Sequence, residues 1–258
     1  MINLLLKLPL FIGILLFLLF IVALGIIIFF SSHYFYIKRK ISKGQVQVGR
    51  VLFRTSASLL ALLLSFTYAS QRVDYFKIKQ SLEYEASQLV DIQIDLGLFD
   101  SPSAELIRKN VRDYVGIILE EGWEPITENP FESSTFVQFL EINQALHNLE
   151  ANGALQLQLK ESLITDIDEV SDYLQVRFYQ TRPETPFLIY IALFGFLVVM
   201  IFFSVYTPDK VSITFISLFN AFIGLVLYFI LLMNNPLIGP TQIKPEPFQI
   251  LQDAMNTQ

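Results

Sequence analysis

Leu8 to Phe30, LPLFIGILLFLLFIVALGIIIFF, runs for 23 residues without a charge. Nineteen of them are Leu, Ile, Phe or Val, and the rest are Pro9, Gly13, Ala23 and Gly25. Each such apolar residue favours membrane insertion by ~0.3–0.6 kcal/mol, so the stretch gains roughly 6–11 kcal/mol on entering a bilayer. At a rise of about 1.5 Å per residue it matches a hydrocarbon core of about 30 Å. It is too long for the apolar core of a signal peptide, and no small-x-small cleavage site follows it. It reads as a membrane-spanning helix.

The rest of the 258-residue chain agrees: 53% of residues are hydrophobic and 16% charged, against about 25% charged in soluble domains. There is no cysteine, so disulfide frameworks, thiolate metal sites and cysteine nucleophiles are excluded. The net charge of −6 hides an asymmetry. Ser32–Arg54 holds six cations and no acid, whereas Gln71–Thr185 holds 21 acids against nine cations. An acidic bulk argues against a nucleic-acid partner, because phosphate binding needs a cationic face. The short basic stretch reads as a topology signal or a contact with anionic lipid.

Three further spans follow. Thr55–Gln71 is uncharged between Arg54 and Arg72 but carries eight polar or Tyr residues, so it needs partner helices or water along one side. Thr185–Pro208 and Val211–Met233 are joined by a short connection and read as an antiparallel hairpin. Between the second and third spans, Asp74–Phe99 meets no Gly or Pro before Gly97, so one helix is expected to continue out of the second span. Ser101-Pro102 and Ser133-Ser134 supply helix starts. Apolar residues at helical spacing follow: Leu106, Ile107, Val111, Tyr114, Val115 and Ile118; then Phe136, Leu140, Leu146 and Leu149; then Leu155, Leu159, Leu163, Ile167, Val170 and Leu174. The expectation is an all-α membrane protein of four transmembrane helices with a helical insert between spans two and three. Its segments are a first span (1–31), a basic loop (32–54), a second span (55–71), an acidic helical bundle (72–184), a hairpin of two spans (185–233) and an extended C-terminal strap (234–258).

The tail carries a recognisable pattern: Asn234-Asn235-Pro236-Leu237-Ile238-Gly239, then Ile243-Lys244-Pro245-Glu246-Pro247-Phe248. With the run Ala57–Phe66, Glu85-Ala86, Asp113-Tyr114 and Glu121-Gly122-Trp123, the chain resembles the bestrophin-like domain family. These are bacterial and plastid membrane proteins of unknown function, distantly related to bestrophin anion channels. The family motif residues here are Asn235, Pro236, Gly239, Pro245, Glu246, Pro247 and Phe248, and Asn234 stands where the family carries an acid. The resemblance implies a bestrophin-like architecture and a homo-oligomeric, pentameric channel for small anions such as chloride or bicarbonate. The alternative is a non-conducting membrane scaffold or sensor whose insert binds a partner.

On the second span Arg54, Ser58, Ala61, Ser65, Tyr68 and Arg72 are spaced 4, 3, 4, 3 and 4 and so share one helical face. In a symmetric oligomer that face can line an aqueous path, with hydroxyls replacing lost hydration and arginines favouring anions. Equally, its small residues can serve dry helix packing, with the arginines anchoring the span ends. Asn220 in the fourth span either bonds a neighbouring helix or faces the same cavity. Asp166, Asp168, Glu169 and Asp172 are candidates for calcium by analogy with the acidic belt of bestrophins, although no EF-hand spacing is present. As a solvated acidic face they need no ion. His33 and His147 lie far apart and read as interfacial and surface residues. Glu120, Glu121 and Glu124 around Trp123 read as a solvated turn rather than paired catalytic carboxylates. No glycine-rich phosphate loop, nucleophile elbow or metalloprotease helix occurs, so neither an enzyme nor a cofactor is expected.

Positive-inside reasoning puts 32–54 in the cytoplasm and the insert outside a bacterial inner membrane, on the periplasmic side. Bestrophins keep their helical bulk in the cytosol, so orientation and resemblance pull in opposite directions.

Overall fold

The computed structural model describes residues 6–38, 42–120, 132–180 and 187–257. Among the described residues there are eight helices and no strand. They are α1 (Leu10–Lys38), α2 (Lys43–Leu96), α3 (Pro102–Glu120), α4 (Ser134–His147), α5 (Ala154–Gln180), α6 (Phe187–Phe203), α7 (Lys210–Met233) and α8 (Glu246–Thr257). Three of these, α1, α2 and α7, are long and apolar enough to cross a membrane. The expected third span corresponds to α6, apolar but only 17 residues long.

The helices fall into two compact units, Met1–Val73 with Glu184–Thr241, and Asp74–Pro183 with Gln242–Gln258. In the first, α1 packs along α7 and α6. Two glycines set the spacing. A Cβ at Gly25 of α1 would lie 2.0 Å from Asn220 Nδ2, and one at Gly224 of α7 would lie 3.2 Å from Ile21 Cβ. Helices in lipid gain nothing from hiding apolar surface, so close approach through small residues takes the place of the hydrophobic effect. Asp209 caps α7, its Oδ1 accepting from the Ser212 N–H at 2.7 Å.

In the second unit, leucine and isoleucine stripes of α2, α3, α4 and α5 converge: Leu82, Leu89 and Ile92 meet Ile107, Val111, Ile142, Leu163 and Ile167. The caps stand where the sequence puts them, with Ser101 Oγ accepting from Ala104 N and Ser133 Oγ from Phe136 N, both at 3.2 Å. The edges of three stripes differ. Leu106, Leu140 and Leu155 are exposed, while Phe139 and Ile142 take the buried line of α4. Leu155 lies in the first turn of α5 and Leu106 on the flank of α3, where a residue can satisfy the spacing and still overhang the core.

Two expected segments are corrected. The basic stretch 32–54 is not one loop, since α1 runs on to Lys38 and α2 starts at Lys43. No proline occurs between Pro9 and Pro102, so nothing removes an amide from the helical ladder there. The C-terminal strap is not extended throughout, because Glu246–Thr257 is helical. Pro245 supplies the carbonyl for the first turn, accepting from Phe248 N at 3.1 Å and Gln249 N at 3.0 Å. Pro247 sits within that turn, where its missing N–H costs nothing. Phe248 and Leu251 bury themselves in the insert core, as expected of the strap, and Ile250 stays outside.

Candidate functional site

The 54-residue α2 presents three different faces over its apolar half. One face, Leu60, Leu64 and Thr67, is buried against its own unit, with Phe53, Ala57, Leu63 and Tyr68 partly covered beside it. A second face, Leu59, Leu62 and Phe66, is apolar and exposed. The third is the polar stripe: Arg54, Ser58, Ala61, Ser65 and Arg72 are exposed and Tyr68 is half-buried at its border. These six residues lie along one edge of α2, and the chain leaves that edge open except at Tyr68. Arg54 and Arg72 stand about 27 Å apart along the axis, close to the thickness of a hydrocarbon core.

Three hydroxyls along α2 turn back onto their own helix. Ser65 Oγ donates to the Ala61 carbonyl at 2.9 Å, Thr67 Oγ1 to Leu63 at 2.9 Å and Thr55 Oγ1 to Val51 at 3.1 Å. Such back-bonding spends the proton on the helix and leaves oxygen lone pairs facing outward. Ser65 therefore offers an acceptor, not the donor an anion needs, and the arginines are the cationic groups on this edge.

Asn220 does not join the stripe. It is fully buried against Gly25, and neither its amide nitrogen nor its amide oxygen has a hydrogen-bond partner. His33 is structural: its Nδ1 lies 2.8 Å from the Ser204 carbonyl and its ring stacks on Phe29. His147 lies on the surface, with Nδ1 3.0 Å from the Asn143 carbonyl. The tail motif is architectural too. Asn235 Nδ2 donates to the Leu231 carbonyl at 2.8 Å, and Pro236 is buried. Gly239 has φ of 91°, and a Cβ there would sit 2.5 Å from the Leu6 carbonyl oxygen, so only glycine fits. Of the second half, Glu246 is exposed, Pro245 and Pro247 flank it at the start of α8, and Phe248 is the buried anchor.

The insert contains an ion pair that the sequence reading missed. Glu85 on α2, Tyr114 on α3 and Arg177 on α5 are all buried, with Glu85 Oε1 accepting from Tyr114 Oη at 2.8 Å and from Arg177 Nη2 at 3.2 Å. Burial pushes the Glu85 carboxyl above the usual range, partly offset by the Arg177 guanidinium and then by the Tyr114 hydroxyl. Tyr114 is pushed well above its ordinary value, first by burial and then by the Glu85 charge. By sequence alone Arg177 is one of nine cations scattered through the acidic stretch Gln71–Thr185. Its position three residues beyond Leu174, on the buried line of α5, was the signal that places it inside.

The four calcium candidates do not form a site. Among the described residues no three His, Asp or Glu side chains are grouped to hold a metal. Asp168 and Asp172 are exposed, and Glu169 Oε2 accepts from Gln88 Nε2. Asp166 is pushed up to about 6 by partial burial and by the charges of Asp91, Asp95 and Glu169. Glu120 ends α3, and Glu121, Gly122, Trp123 and Glu124 lie outside the described residues.

Apolar helices of this length and composition, joined to an acidic helical bundle, point to an integral membrane protein of the all-α class. The chain matches the Bestrophin-like domain family over residues 19–248, and it belongs to that family. No curated protein and no solved structure matches it.

Proposed function

We propose that the protein is a homo-oligomeric membrane channel for small anions, its pore lined by the outward stripe of α2. One observation carries this reading: the chain leaves a polar edge, half-covered only at Tyr68, on the otherwise apolar stretch of α2 between Arg54 and Arg72. A row of hydroxyls facing lipid gains nothing, whereas a row facing an aqueous axis shared by several copies is solvated. Arg54 and Arg72 supply the positive potential at the two mouths, and a closed ring of five copies follows the kinship with bestrophins. The four-span topology counts α6 as the third span, a helix within the lower range of spanning lengths. Positive-inside bias then sets Lys38, Lys43, Arg50 and Arg54 on the cytoplasmic side of a bacterial inner membrane and the insert on the periplasmic side. The partners are further copies of this chain, the bilayer and small anions, with no nucleic acid and no enzymatic step.

The second reading is a non-conducting scaffold or sensor. The inward hydrogen bond of Ser65 favours it, because a stripe of small residues in which that hydroxyl proton is already spent also suits dry packing between copies. Charge reversal separates the two. Arg54→Glu with Arg72→Glu, purified at the wild-type oligomeric mass and reconstituted in planar bilayers, lowers the chloride-to-potassium permeability ratio at least tenfold. Unchanged selectivity, or no conductance in the wild type, rejects the pore.

A further inference from the structure

At one end of the Met1–Val73/Glu184–Thr241 unit, the last turns of α1 and α6 and the first turns of α2 enclose an open, mainly apolar groove of about 680 Å³. That volume falls within the ~300–1,000 Å³ typical of small-molecule sites. Its walls include Phe35 of α1, Val48, Gly49 and Leu52 of α2, Phe202 of α6 and Val205 in the turn that follows it. The walls are tied together. A Cβ at Gly49 would lie 2.6 Å from Val205 Cγ2, Phe53 packs edge-on against Phe203 with centroids 4.8 Å apart, and His33 meets the Ser204 carbonyl. The groove is thus a feature of the packed helices rather than a gap between loose ends.

The charge around it has one sign. Lys38, Lys43 and Arg50 are exposed within a few residues of the lining positions, and Arg50 lies over the Tyr206 ring at 5.4 Å. No acid occurs from Ser32 to Arg54. In the whole unit there are nine Lys/Arg and only two acids, Glu184 and Asp209, and Asp209 is engaged as the α7 cap. The membrane unit of another copy therefore brings cations, not a countercharge, to this rim. The occupant has to combine an apolar tail with a negative head, at the level where the apolar runs of the helices give way to charge.

We infer that this groove is a binding site for an anionic phospholipid, with an acyl chain along Val48, Leu52, Phe202 and Val205 and the phosphate head among Lys38, Lys43 and Arg50. The site rests on the helices lying in a bilayer and is independent of whether the oligomer conducts. Each basic residue near an anionic head strengthens binding by roughly fivefold.

Native mass spectrometry of the full chain in detergent, with dioleoylphosphatidylglycerol or dioleoylphosphatidylcholine added, tests it. The wild type retains phosphatidylglycerol at least tenfold more tightly than phosphatidylcholine. Lys38→Gln/Lys43→Gln/Arg50→Gln lowers phosphatidylglycerol affinity to the phosphatidylcholine level. Val48→Trp, at an exposed position, fills the groove and releases bound phosphatidylglycerol with all charges in place. Equal retention of the two lipids by the wild type overturns the inference without any variant. So does a Val48→Trp protein that keeps its lipid but changes oligomeric mass, since the groove is then a contact between copies.

Discussion

The two halves of α2 belong to units that solve the same problem, helix against helix, in opposite surroundings. In the unit of Met1–Val73 and Glu184–Thr241 large apolar side chains face outward, among them Phe11, Phe66, Phe194 and Phe222, each more than half exposed. The unit of Asp74–Pro183 and Gln242–Gln258 holds 22 of the chain's 24 acids by sequence, and its leucines turn in. The first unit relies on fit: Gly25 meets Asn220, Gly224 meets Ile21, and Gly195 leaves room for Leu60. The second relies on burial, worth roughly 25 cal/mol per Å² of apolar surface removed from water. Their buried polar groups differ accordingly. Asn220 is isolated, while Glu85 is met by a hydroxyl and a guanidinium from two other helices.

That contrast sets the largest expected effect. Glu85→Gln leaves Arg177 buried without its countercharge and destabilises the insert by about 3–5 kcal/mol. Replacing both partners, as Glu85→Gln/Arg177→Met, recovers most of the loss. Hydrogen exchange on the full chain in detergent reads it as lost protection in α3 and α5 with α1 and α7 unchanged. Asn220→Leu, by comparison, removes an unpartnered amide and shifts stability by less than about 1 kcal/mol. Equal losses from the two substitutions would erase the distinction between the units.

A smaller effect sharpens it. Asp166 titrates near 6 in the fold against 3.8 for a free Asp side chain, so the folded insert binds this proton more readily than the unfolded chain does. Stability from this group is fully present below pH 3.8 and is lost as the pH rises through 6. Lowering the pH from 7 to 5 thus stabilises the insert, and Asp166→Asn flattens that rise while adding stability at neutral pH. Denaturation of the insert followed at pH 7, 6 and 5 checks the slope. A variant with the wild-type pH dependence would show that neither burial nor the charges of Asp91, Asp95 and Glu169 raise Asp166.

Much of this was legible in the residues. The absence of proline from Leu10 to Ser101 announced a continuous helix, though it also should have shortened the expected basic loop. The stripe on α2 was readable because a period of 3.6 makes a face out of spacing alone. The buried pair was not. A lone Arg among cations reads as surface, and only the packing of α5 against α2 and α3 makes position 177 interior. The helix after Pro245 was hidden by two prolines that forbid a helix interior but not a first turn. Periodicity also cannot say whether Asn220 has a partner. That depends on Gly25, 195 positions earlier, allowing α1 to close over it.

The central claim is that the hydroxyl-bearing edge of α2 meets water while its neighbouring apolar edge meets lipid. The chain contains no cysteine, so single cysteines report without background. Ser58→Cys, Ser65→Cys, Leu59→Cys and Leu62→Cys are each treated in reconstituted oligomers with a negatively charged, water-soluble thiol reagent. The account predicts modification of Cys at 58 and 65 with loss of anion current, and no reaction at 59 and 62. Reaction at 59 and 62 with silence at 58 and 65 would contradict it.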